Sequence, residues 1–277
     1  MRKIIIFCDG GLGNRFGVLI GGLITADSLN MEPVICWPEN TWCGCSFEDL
    51  FDTNIQIIKS DINELFSNNL DKVFLIHENQ TSLKLNKVFL HSENSLDIID
   101  KLSEDVIYYH NQIPNYFDLS KIIDKLNNLK IRQDIINSVK LFSKECDIDK
   151  KTNGIHFRKT DVPNQLDEGK IYELIVQNAN TKYYICSDDK DTEIKFSILK
   201  NTVVFPKTEY VKKLKDGGWN DSITDKEGRV FKFNVNRPKQ SVIEAFIDLL
   251  ILSRTQIIVD STSSFLNFAK LYSNIEL

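Results

Sequence analysis

The chain has 277 residues, of which 42% are hydrophobic and 26% charged, and its formal net charge is -5. That length suits two ordinary domains or one large α/β domain, and the composition is that of a globular chain rather than a disordered one. The net negative charge argues against a general nucleic-acid binder, and no apolar run approaches the roughly 20 residues that span a bilayer.

Ile4-Ile5-Ile6-Phe7-Cys8 is too short for a secretory apolar core and ends in the turn Asp9-Gly10-Gly11. It predicts a buried first strand over 3–8, and with it a cytoplasmic location. A helix is expected over 14–29 and a second strand over 33–37. Short apolar runs follow at 55–58, 72–76, 86–90 and 105–109, separated by Asn, Asp and Ser. From 117 to 147 Ile and Leu recur at three- and four-residue steps, which predicts a mostly helical segment.

The polar stretch 147–154 carries no apolar anchor and is read as a boundary between domains 1–150 and 151–277. The second half then restarts the rhythm. Strands are expected at 155–158, 182–186, 202–205 and 256–259, and helices at 168–179, 190–199, 240–253 and 263–273, with an irregular loop near 215–229. Strands alternating with helices imply parallel sheets covered on both faces, so the expected class is α/β with two Rossmann-like domains facing a cleft. The six cysteines are scattered. Cys43-Gly44-Cys45 is the one close pair and has no second pair to complete a zinc site, so reduced thiols are expected.

Three clusters carry chemistry. The turn Gly10-Gly11-Leu12-Gly13-Asn14-Arg15 joins a strand to a helix, where glycines let a ligand approach the backbone. It departs from a dinucleotide fingerprint, because Phe16 stands where the third glycine belongs. The second cluster is His156-Phe157-Arg158-Lys159-Thr160-Asp161. Arg158 falls at the carboxyl end of a strand, where its planar guanidinium suits phosphate oxygens and Lys159 adds a second positive charge. Its alternative is an ion pair between Arg158 and Asp161, with His156 as a core residue. The third is Asp260-Ser261-Thr262-Ser263-Ser264 before a helix, a helix start that attracts anions. Two acidic positions stand beside these: Ser187-Asp188-Asp189 closes a strand, and Asp248 lies within an apolar helix. A buried carboxylate needs a partner. For Asp248 that is Arg254, Arg237 or the polar edge of a guanine base.

In this order, the His-x-Arg-x-Thr-Asp block at 156–161, the strand ending Ser187-Asp188-Asp189 and the helix–strand–Ser-Ser block at 241–265 resemble the GT-B fucosyltransferase superfamily, which includes α1,6-fucosyltransferases and protein O-fucosyltransferases. The turn with Gly13, Asn14 and Arg15 resembles the one that opens many members. The resemblance implies that Arg158 holds the β-phosphate of GDP and that His156 and Asp248 lie against guanosine. It further implies that Asp188 or Asp189 contacts the nucleotide and that Ser263 and Ser264 meet the pyrophosphate. It makes 1–150 the acceptor side and 151–277 the donor side, with Gly13, Asn14, Arg15 and Lys159 also counted toward the donor. The implied reaction transfers fucose from GDP-fucose to a glycan hydroxyl with inversion, without cofactor or metal. The second arginine of the α1,6 group is Lys159 here, and Leu166 stands where that group's proposed catalytic glutamate belongs. Asp161, Asp167 and Glu168 are therefore the candidate bases. Unlike Golgi members, this chain is expected to carry no stem or membrane anchor.

Three other readings remain open on the residues. Asp189-Lys190-Asp191 could be the metal-binding pair of a GT-A-type glycosyltransferase. Alternatively, the chain could bind a nucleotide or sugar without turnover. An NAD-dependent oxidoreductase is the third and least supported.

Overall fold

A computed structural model describes the chain except residues 70, 77–86, 111–112, 162–165, 225–229, 260–262 and 277. It divides into two compact units, 1–39 with 46–130, and 40–45 with 131–277.

In the first unit the apolar opening run forms β1 (Lys3–Phe7), followed by α1 (Leu12–Ser28) and β2 (Glu32–Cys36). Then come the short β3 (Phe51–Asp52), β4 (Gln56–Ile58), α2 (Ile62–Ser67), β5 (Val73–Ile76), β6 (Val88–Leu90), α3 (Glu93–Ile99), β7 (Val106–Tyr109) and α4 (Leu119–Asn128). Six strands make one parallel sheet in the order β4-β2-β1-β7-β5-β6. Ile4, Ile6 and Phe7 are buried because β1 is paired on both sides. α1 is apolar nearly all round and correspondingly buried. Its Gly22 lies so close to β1 that a Cβ there would collide with Ile6.

The two-residue β8 (Lys130–Ile131) straddles the division between the units and leads to α5 (Gln133–Glu145). The second unit continues with β9 (Asn153–Phe157), α6 (Glu168–Gln177), β10 (Tyr183–Ser187), α7 (Lys190–Ser197) and β11 (Thr202–Val203). A small antiparallel hairpin, β12 (Ile223–Thr224) with β13 (Val230–Phe231), precedes α8 (Lys239–Leu252), β14 (Gln256–Ile257) and α9 (Ser264–Tyr272). Its parallel sheet runs β11-β10-β9-β14 over a core that includes Ile155, Phe157, Ile175, Ile185 and Phe196. The register sets Cys186 opposite His156 and Ser187 opposite Phe157, so β9 and β10 end level with each other. That alignment brings the residues just beyond the two strands together.

Three expectations are revised. The division falls at 130/131, not 150/151, since α5 packs on α8, the Lys150 ammonium donates to the Ser253 carbonyl at 2.6 Å and that of Lys182 to the Cys146 carbonyl at 2.7 Å. Segment 40–45 joins the second unit through two backbone bonds, Gly44 N–H to the Arg237 carbonyl and Arg237 N–H to the Thr41 carbonyl, each 2.9 Å. The helical stretch 117–147 is two helices, because Leu129 and Arg132 take extended ψ angles of 106° and 139°. No Gly or Pro marks that break, so periodicity alone runs through it.

Candidate functional site

The carboxyl edge of the second unit's sheet gathers the charged residues just past β9 and β10. Asp188, directly after β10, accepts from the Lys159 amide at 2.7 Å, the Thr160 hydroxyl at 2.6 Å and the Thr160 amide at 3.3 Å. Burial raises its pKa, and these donors oppose the rise. Asp188 thus acts as a clamp that fixes the turn 158–161. Asp189 caps α7, accepting from the Thr192 amide at 2.9 Å and hydroxyl at 2.7 Å, while Asp191 is exposed on the first turn of that helix. Among the described residues no group of three or more His, Cys, Asp or Glu side chains could hold a metal ion.

Arg158 stands at the end of β9 and forks onto Asp161, through Nε at 2.8 Å and Nη2 at 2.6 Å. Arg237 reaches the same carboxylate at 2.9 Å from the segment before α8 and lies over Trp42 at 5.3 Å. The Asp161 side chain is 1% exposed and Arg158's is 29% exposed, so the carboxylate is inside and one guanidinium edge faces solvent. Burial disfavours the charge on Arg158, but Asp161 outweighs it and holds the pKa above the ordinary value. The sequence offers Arg237 only as an alternative partner for Asp248. Nothing in the pattern Asn236-Arg237-Pro238 signals a second arginine on Asp161.

Lys159 donates to Glu168, which also accepts from Lys195 at 2.7 Å. The bond to Lys159, then that to Lys195, lowers the pKa of Glu168. Asp167 is the N-cap of α6, accepting from the amides of Gly169 at 3.0 Å and Lys170 at 3.2 Å. Each of the three candidate bases therefore already has partners. Four cations (Arg158, Lys159, Lys195, Arg237) face three carboxylates (Asp161, Glu168, Asp188) along this edge.

His156 is buried in β9, its ring stacked on Phe265 of α9 at 4.6 Å between centroids. Burial, then the positive charges of Lys207 and Arg158, push its pKa down to about 3. The imidazole is neutral. Ser263 is the N-cap of α9 without a side-chain capping bond, and Ser264 opens the helix; both are half-buried. The preceding Asp260, Ser261 and Thr262 lie outside the described residues.

Asp248 is buried, and its partner is neither Arg254 nor Arg237. Its carboxylate accepts from the Tyr184 hydroxyl at 2.5 Å and pairs with Lys207 at 2.6 Å. Lys207 also pairs with Glu193 at 2.5 Å, which accepts from Tyr210 at 2.6 Å and the Ser187 amide at 2.7 Å. Burial works against the ammonium, but the two carboxylates more than offset it and raise the pKa of Lys207. No pattern in the sequence marks Lys207, which lies in an irregular stretch.

The glycine turn belongs to the first unit. Gly10 has φ +84°, the region glycine tolerates, and Gly11 is the N-cap of α1. Gly13 is buried and Asn14 exposed. The Arg15 side chain is 0% exposed and donates from Nε to the Gly10 carbonyl and from Nη2 to the Pro38 carbonyl, both at 2.8 Å. Its guanidinium lies 4.8 Å from the centroid of the Trp37 ring.

Parallel sheets flanked by helices in two units define the architecture as α/β and GT-B-like. The particular likeness is to fucosyltransferases. The structure of fucosyltransferase NodZ from Bradyrhizobium matches over 97% of this chain and 92% of its own, with TM-score 0.57 and 14% identity. NodZ α-1,6-fucosyltransferase co-crystallised with GDP matches over 97% and 91%, with TM-score 0.58 and 14% identity. Arabidopsis thaliana FUT1, an R284K mutant in complex with GDP, matches over 98% of this chain and 68% of its own, with TM-score 0.53 and 12% identity. At such identities the likeness establishes the fold. No family profile matches the chain, and no curated protein matches it in sequence. Among the described residues no helix is long and apolar enough to cross a membrane.

Proposed function

We propose that this chain is a glycosyltransferase that moves fucose from GDP-fucose to a glycan hydroxyl, inverting the anomeric carbon without a metal ion, in the cytoplasm. The observation that carries the reading is the solvent-facing edge of Arg158. Two of its nitrogens are fixed on Asp161, and the third, Nη1, has no protein partner among the described residues. A guanidinium held in this way presents N–H groups in a fixed direction, which suits a phosphate oxygen. Lys159 and Arg237 add positive charge where the diphosphate would depart, the task a divalent cation performs elsewhere. The fold shared with a fucosyltransferase co-crystallised with GDP supports the choice of nucleotide.

The acceptor hydroxyl would lose its proton to a carboxylate as an oxocarbenium-like centre forms. Glu168 is the weakest of the three candidates, since two lysines lower its pKa. Asp161 is buried under two guanidiniums. Asp167 is exposed and held chiefly by its own helix's amides, so it is the least committed base. His156 and the helix start at Ser263 and Ser264 would complete the donor side, with Asp188 holding the turn that carries Arg158. Asp248, with both oxygens engaged, would act from beneath the site through the packing of β10.

A thermal-shift panel of GDP, UDP, dTDP and their sugars tests the donor. Stabilisation by GDP and GDP-fucose is expected, and stabilisation by UDP alone would end the reading. Release of GDP from GDP-fucose in excess EDTA then tests metal independence. The engagement of all three carboxylates favours one second reading, a binding protein without turnover. GDP release with a glycan panel separates the two.

A further inference from the structure

Segment 40–45 of the second unit holds two thiols that the donor reading does not use. Cys43 and Cys45 are both buried, and their sulfurs lie 3.7 Å apart. A disulfide needs about 2.0 Å, so a small movement separates the pair from a bond. Asn40 and Cys43 exchange both backbone bonds, at 3.0 and 3.1 Å, and the Trp42 amide donates to the Asn40 side chain at 3.0 Å. The turn before the pair is therefore fixed, and the movement that joins the sulfurs falls on Gly44 and Cys45. Glycine accepts such a change of dihedral angles.

Gly44 cannot move alone. A Cβ on it would lie 2.7 Å from the Arg237 carbonyl oxygen and 3.1 Å from the Lys239 nitrogen. Its amide donates to that carbonyl and the Arg237 amide donates to the Thr41 carbonyl, each at 2.9 Å, while the Arg237 guanidinium lies over Trp42. The two thiols thus sit within the strap that holds Arg237, whose Nη2 rests on Asp161 at 2.9 Å. A cross-link over so short a loop adds little stability and carries strain. Such a bond is readily reduced, which suits a reversible role better than a structural one.

We infer that Cys43 and Cys45 are a redox pair which a small disulfide closes, and that closure draws Arg237 away from Asp161. The thiolate of one cysteine attacks a sulfur of the reagent and expels one thiolate; the other cysteine then attacks the protein-bound sulfur and expels the second. The two thiol protons end on the two expelled thiolates, so the pair loses two electrons and the reagent gains them. Both thiols are buried, so attack waits on opening of a segment whose Thr41, Trp42, Gly44 and Ser46 are partly exposed.

The test equilibrates the full chain with oxidised and reduced glutathione in graded ratio. Peptide mass mapping should find a Cys43–Cys45 disulfide that dithiothreitol removes. Amide hydrogen exchange over 234–238 should quicken on closure and recover on reduction. Cys45→Ala, which cannot close, should show neither change, and Cys43→Ser serves if that variant does not fold. Failure to close at any ratio, closure that leaves exchange over 234–238 unchanged, or the same quickening in the folded variant overturns the inference. The consequence for the nucleotide rests on the donor reading above: GDP should bind the closed form about tenfold more weakly, as for one weakened charged contact. GDP bound equally by both forms overturns the link to Arg237. A chain that closes and quickens but binds GDP in neither form keeps the redox pair and removes the donor reading.

Discussion

Arg15 and Arg158 each follow a strand paired on both sides, and each lies near the carboxyl edge of its own parallel sheet. Their surroundings differ completely. Arg15 is shut away and donates to two backbone carbonyls of its own unit, whereas Arg158 braces one edge on a carboxylate and turns the other to solvent. Topology puts both at the ligand edge of an α/β fold, but only the second keeps donors available. A buried cation serves the chain that surrounds it; a braced cation at a rim can serve a visitor. Lys207, buried between Asp248 and Glu193, belongs with Arg15 in this division.

The comparison can be broken by substitution, and the largest effect is expected at Lys207. Lys207→Met leaves two buried carboxylates without their cation and should cost about 3–5 kcal/mol, read from the urea midpoint. A loss below 1 kcal/mol would mean that the network is not a support. Arg15→Ala should cost about 2–4 kcal/mol by orphaning the buried Pro38 carbonyl and the part-buried Gly10 carbonyl, while the remaining folded protein still responds to GDP. Arg158→Ala should do the reverse. Its melting temperature should hold, because Arg237 stays on Asp161, but GDP affinity should fall roughly 10- to 100-fold by titration calorimetry. A full GDP response in this variant would erase the distinction between the two arginines.

The smallest effect concerns Glu168. Its folded pKa is depressed by two lysines, so its contribution is present above the unfolded carboxyl pKa and disappears as pH falls through the folded one. Glu168→Gln should lower stability by about 0.5 kcal/mol at pH 7, a value reduced by solvent screening. The gap to the parent should close under acid, below the depressed pKa. A gap that persists there would indicate packing instead of charge.

Regular apolar runs made the two sheets legible. Every strand of the first unit's sheet from β1 to β7 coincides with a run of Ile, Val, Phe or Leu bounded by turn residues. α2 and α3 were hidden because they are short and begin on caps, Asp61 and the Ser92–Ser95 box, that read as polar breaks. At the site, the sequence brought Arg158, Lys159, Asp161 and Asp188 to one edge, since all follow directly on β9 or β10. It could not reveal who pairs with whom. Arg237 and Lys207 come from irregular segments 76 and 46 residues beyond Asp161, and only the folded chain returns them to the cluster. Asp248 is legible as a carboxylate needing a partner, but that partner, Lys207, sits where no periodicity operates.

The carboxylate of Asp161 has one more consequence. It is a resident counterion for two guanidiniums that would otherwise push each other apart. An arriving anion meets cations already aligned and half neutralised, so it exchanges contacts with a standing structure instead of gathering loose charge. The empty protein should then keep the shape it has when occupied, and a spent anion can leave without the rim collapsing behind it.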